Sequence, residues 1–154
     1  MGARFRYALE PVALQRQWAL DELRRALGDC HAALARSEAA CAQVRAQLAQ
    51  AGQEWALLGS GQQALSVQRF ALVSRYLAER HARLRELEQE HAGLEQQRDG
   101  VIEQVAAARR ALDAVEQHRD QMRARFVAAR TSGEFKAADD QWSVLQAGVA
   151  RNAD

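Results

Sequence analysis

The side chains that could do chemistry are few and scattered. The four histidines are His31, His81, His91 and His118, and the two cysteines are Cys30 and Cys41. A helix-borne metal site needs ligands three or four residues apart, and no histidine pair has that spacing; His81 and His91 stand about 15 Å apart on a helix. Neither HExxH nor CxxC occurs, which removes the common zinc arrangements. There is no GxxxxGK[ST] loop to cradle phosphates. Serines are scarce and have no evident base partner. The carboxylates alternate with arginines in pairs such as Arg85/Glu88, the pattern of a solvated helix face with i,i+3 and i,i+4 ion pairs. The residues therefore predict neither catalytic nor metal-binding chemistry, no cofactor, and a non-enzymatic protein.

The cysteines point the same way. Eleven residues along a helix span roughly 16 Å, whereas a disulfide needs Cα atoms within about 7 Å. Both cysteines also lie on an apolar stripe, so two buried thiols are expected, and with them a soluble, reducing compartment. No apolar run approaches the length of a membrane span or a secretory signal, so direct membrane insertion is not expected.

The elements that carry these residues are easy to read. Of 154 residues one is proline, and aromatics make up 6%; Ala, Leu, Arg, Gln and Glu dominate and favour helix. One stripe runs Leu20, Leu23, Leu27, Cys30, Leu34, Ser37, Cys41, Val44, Leu48, Ala51, Trp55, Leu58. Its spacing alternates three and four without a slip, which is a heptad seam that keeps one face against a partner helix. A second runs Phe70, Val73, Leu77, Arg80, Leu84, Leu87, His91, Leu94, Arg98, Val101, Val105, Ala108, Leu112, Val115, Arg119, Met122, Phe126. Gly59-Ser60-Gly61 separates them. The reading is all-α: a single coiled-coil domain, a long two-helix antiparallel hairpin. Helix one covers about 11–58, with Pro11 in its first turn, the turn 59–63, and helix two about 64–130.

The seam contains polar residues at Arg80, His91, Arg98 and Arg119; arginine stems can lie along apolar surface while the charge reaches water, and a polar seam residue can set register. Near Thr131 the phase shifts. Thr131-Ser132-Gly133-Glu134 reads as a capping box before a short helix with Phe135, Ala138, Trp142, Leu145 and Val149 on one face. The alternative is that helix two continues through Gly133, so 134–149 is a short helix or an extension. Such a rod is expected to enclose too little volume for a ligand pocket of about 300 Å³ or more. Net charge is +1, and without a basic-aromatic platform nucleic-acid binding is not expected.

The opening Phe5-Arg6-Tyr7-Ala8-Leu9-Glu10-Pro11-Val12, the length and the paired helices resemble the FliJ/SctO (YscO, HrpB-type) family, the central stalk proteins of type III secretion and flagellar export ATPases. The resemblance spans most of the chain. It implies a fold similar to the coiled coil of rotary ATPase γ subunits and a cytoplasmic bacterial protein beside the inner-membrane export apparatus. Its expected partners are the hexameric export ATPase, the cytoplasmic domain of the membrane export gate and secretion chaperones.

The resemblance also implies site residues. Gate-binding candidates near the hairpin end are Leu48, Glu54, Trp55, Phe70, Leu77 and His81. Leu77 stands where the family has alanine and Ser74 where it has leucine; Ala51 and Val44 replace a tyrosine and a glutamine. Leu48, Trp55, Phe70 and Leu77 also belong to the seam, where core packing is the simpler role, and His81 lies off it. ATPase-binding candidates are Phe5, Arg6, Tyr7, Arg119, Arg123, Arg125 and Phe126. A monomer is expected if the two seams satisfy each other. A coiled-coil adaptor or scaffold, or a secretion-chaperone escort without an ATPase partner, is the alternative.

Overall fold

A computed structural model describes residues 4–61 and 66–151, with side chains through 145. The protein is all-α, two long helices packed against each other. α1 spans Glu10–Gly59 and α2 spans Val67–Arg151.

The helix ends follow local chemistry. The Glu10 amide donates to the Tyr7 carbonyl and the Ala13 amide to that of Leu9, so the chain turns into α1 just before Pro11. At the other end the Ser60 amide and hydroxyl both donate to the Leu57 carbonyl, at 3.3 and 2.8 Å. Gly61 then takes a φ of 72°, which glycine adopts without a Cβ clash. Residues 62–65, which include the end of the expected turn and the expected start of helix two, lie outside the described residues. α2 is introduced by Ser66, whose hydroxyl accepts from the Arg69 amide at 3.4 Å. This is an N-cap that the heptad reading did not single out.

The packing divides into two units, one of residues up to Leu20 and from Ala107 onward, the other Asp21–Ala106. In the second unit the heptad seams are inside. Cys30, Cys41, Val44, Ala51, Leu58, Val73 and Leu87 are buried. Cys41, Val44 and Leu87 form a cluster covered by Ala40, Leu48 and Leu84. Ser37 Oγ meets His91 Nδ1 at 3.1 Å, Arg45 bonds Glu88 at 3.2 Å, and Glu54 bonds Arg69 at 2.7 Å. Numbers rise along α1 as they fall along α2, so the helices of this unit run in opposite directions. The Glu88 hydrogen bond, aided by Glu38 and opposed by slight desolvation, raises the pKa of Arg45 above its usual value.

Polar seam residues behave differently from one another. His91 bonds across to Ser37, and half-buried Arg98 turns to Asp99 at 2.8 Å. Arg80 sets its guanidinium carbon 5.5 Å from the Tyr76 ring centroid, and its Nε is buried without a hydrogen bond, as is Gln47 Oε1. A stem lying on apolar surface with its charge in water therefore describes Arg80 only in part.

In the first unit Ala13, Leu20 and Leu112 are buried. The expected capping box does not form a new helix, because α2 passes through Thr131–Glu134 without interruption. Thr131 Oγ1 donates to the Val127 carbonyl one turn back at 3.0 Å, and Arg130 pairs with Glu134 at 2.8 Å. A single mid-helix glycine costs about 1 kcal/mol, too little to break a segment otherwise rich in helix formers. From Val127 to Leu145 every residue is exposed. Val149 lies outside the residues with described side chains.

Candidate interaction surfaces

The first surface joins the N-terminal stretch to α2. Phe5 packs on Phe126 with ring centroids 5.6 Å apart. The Tyr7 hydroxyl donates to the Val115 carbonyl at 3.1 Å and lies 2.9 Å from His118 Nδ1. A phenol has one proton, so while it donates to the carbonyl the contact with His118 is a hydrogen bond only in the imidazole form that carries a proton on Nδ1. The Tyr7 and His118 rings are also in contact, with centroids 5.7 Å apart.

Beside these rings lies a cleft of about 450 Å³ lined by Arg4, Phe5, Tyr7, Glu10, Arg119, Asp120 and Arg123. The structure thus brings together Phe5, Tyr7, Arg119, Arg123 and Phe126 among the expected residues. Arg6 and Arg125 are exposed and do not line the cleft. Arg4, Glu10, Asp120 and His118 were not singled out; the alternation of Arg4, Arg6 with Phe5, Tyr7 is the only sequence signal that could have included Arg4.

The second surface lies near the α1–α2 turn. Trp55 stacks on Phe70 with centroids 4.1 Å apart and planes tilted by 32°. Glu54 is held by Arg69 on the adjoining face. Phe70 remains 42% exposed despite its seam position. Leu77 is half-buried and His81 exposed. Leu48 instead packs against the Cys41–Val44–Leu87 cluster. Of the expected gate-binding set, Glu54, Trp55 and Phe70 therefore form one local group. A cleft of about 340 Å³ beside it is lined by Gln47, Gln50, Ala51, Glu54, Arg69, Leu72, Val73 and Tyr76. Leu57, Val67 and Leu72 are exposed apolar residues of this region that the seam reading passed over, because they fall off the heptad face.

The expectation about pocket size concerned enclosed volume, and these clefts are open to solvent. They are surface grooves between side chains, walled by exposed residues such as Arg4, Arg123 and Leu72, and a two-helix packing can form grooves without enclosing a cavity. Among the described residues no group of three or more His, Cys, Asp and Glu is placed to hold a metal ion, and no helix is long and apolar enough to cross a membrane. No family model, curated protein or solved structure matches the chain.

Proposed function

We propose that this chain is a non-enzymatic stalk protein of a type III export apparatus, flagellar or injectisome. It binds the hexameric export ATPase through the Phe5–Tyr7/α2 surface and the export gate through the Trp55–Phe70 surface, and works in the cytoplasm beside the inner-membrane apparatus. The observation that carries this reading is the seating of Phe5 on Phe126 and of Tyr7 on His118. Two segments more than 100 residues apart in sequence, each assigned to the ATPase by resemblance, form one surface. Supporting it, Trp55, Phe70 and Glu54 form a second aromatic-acidic group with exposed apolar neighbours, and aromatic anchors are the residues that dominate protein interfaces.

The test is the steady-state rate of the export ATPase encoded in the same genome, with and without this protein, together with a pull-down. Binding with a changed rate or hexamer population supports the stalk. A folded, helical protein that neither binds nor alters the rate sinks it.

A second reading, a coiled-coil adaptor or chaperone escort with no ATPase partner, is favoured by one observation. Phe135, Trp142 and Leu145 form an exposed stripe on α2, at 70, 63 and 64% exposure. A concentration-dependent dimer mass in light scattering, with no ATPase binding, would select it.

A further inference from the structure

Nine arginines of this chain, Arg24, Arg25, Arg45, Arg69, Arg75, Arg83, Arg98, Arg109 and Arg130, form ion pairs. Five arginines without an ion pair gather around the Phe5–Tyr7 surface. Arg4, Arg119 and Arg123 line the cleft, Arg6 and Arg125 flank it in sequence, and none of the five makes an ion pair or hydrogen bond among the described residues. The cleft's two carboxylates, Glu10 and Asp120, are not within ion-pair distance of them either. A cluster of uncompensated guanidinium groups repels itself and is stabilised by any anion that joins it. Next to it stand the Phe5–Phe126 pair and, further along α2, the exposed Val127.

We propose that this surface docks an acidic, amphipathic helical segment of a partner protein, whose carboxylates bind Arg4, Arg119 and Arg123 while its apolar side packs beside Phe126 and Val127. The proposal deepens the ATPase-facing reading and rests on it for the partner's identity, but not for its chemistry. Guanidinium forks match carboxylates bidentately. Glu10 and Asp120 shape the choice of occupant: a uniform polyanion such as nucleic acid would lay phosphates against both, whereas a helix can present its carboxylates in register with the arginines alone. The exposed apolar neighbours favour a protein segment over a free phosphate.

Fluorescence anisotropy tests this on the full chain with two labelled helical peptides of identical leucine spacing, one with glutamates and one with lysines at the polar positions, and with a 20-nucleotide oligo-dT. The glutamate peptide should bind best and weaken about tenfold between 50 and 300 mM NaCl. R119E/R123E should weaken it at least tenfold, with the milder R119Q/R123Q intermediate, while R36E/R85E, which reverses unpaired arginines elsewhere, should leave it unchanged. Helicity by circular dichroism verifies folding of each variant. Equal binding of the two peptides, tighter binding of oligo-dT, or indifference to R119Q/R123Q in a folded chain overturns the proposal. ATPase binding that ignores R119E/R123E and salt would overturn it while leaving the stalk intact. Glutamate-peptide binding without ATPase binding would do the reverse.

Discussion

Tyr7 and His118 are 111 residues apart in sequence and 2.9 Å apart in space. The contact ties an N-terminal stretch that has no helical hydrogen bonds of its own to the middle of α2. The same hydroxyl gives its proton to the Val115 carbonyl, so one side chain contacts α2 at two points. Tyr7→Phe keeps the ring and removes both bonds. It should lower stability by about 0.5–1.5 kcal/mol, and Tyr7→Ala should lower it further. Thermal melts followed by circular dichroism measure both; a Phe variant as stable as the parent would mean that the hydroxyl contributes nothing.

Trp55 and Phe70 should be energetically coupled. Stacked aromatic pairs contribute about 0.5–1.5 kcal/mol beyond the area they bury. A double-mutant cycle of Trp55→Ala and Phe70→Ala in urea should recover a coupling of that size. Strict additivity would show the stack to be a contact without consequence.

Leucines on and off the seam should differ sharply. Leu87 is 6% exposed inside the Cys41–Val44 cluster and Leu72 is 72% exposed. Leu87→Ala should cost about 2–4 kcal/mol, whereas Leu72→Ala should stay within about 0.5 kcal/mol. Leu72→Ala that destabilised as much as Leu87→Ala would contradict the exposure of the Leu72 face.

The thiols should be slow to react and unpaired. Cys30 and Cys41 are both free and buried, on one helix and far beyond disulfide reach. A thiol reagent should label two cysteines promptly in denaturant and slowly in buffer. Fast labelling in buffer would show that the seam opens there.

Gly133 should tolerate a side chain. Nothing lies within 4 Å of a Cβ built there, and α2 is continuous through it. Gly133→Ala should therefore raise helicity and stabilise the local helix by about 0.5–1 kcal/mol. A loss of helicity would mean that the glycine serves a bend.

The faces of this fold were legible in the sequence, and the pairings were not. Every residue of the first seam is buried or half-buried, as is every residue of the second except Phe70 and Met122, at 42 and 37% exposure. The three-four spacing specifies which side of a helix is apolar. It says nothing of which residue stands opposite, so Ser37 against His91 and Tyr7 against His118 could not be read from it. Ser66 was missed for a different reason: caps depend on one hydroxyl and not on a repeat. At Thr131 the capping-box pattern was present, but the side chain bonds back to Val127 within a helix that simply goes on. The candidate surfaces followed the same division. Phe5, Tyr7 and Phe126 were expected only through the family resemblance, while Arg4, Asp120 and His118 join them through folding.

The exposed stretch of α2 from Val127 to Leu145 has a kinetic consequence. Its backbone amides are protected by local hydrogen bonds and a few i,i+4 contacts, and among the described residues no partner face packs on it. Most of a helix's stability in a protein comes from packing one face against a partner, and this stretch is exposed throughout. In deuterium exchange these amides should lose protection quickly, while those near Leu20, Leu87 and Leu112 hold theirs. The same measurement, repeated with a partner added, would register any docking on this stretch as a slowing of exchange, amide by amide, without the partner's identity having to be known beforehand.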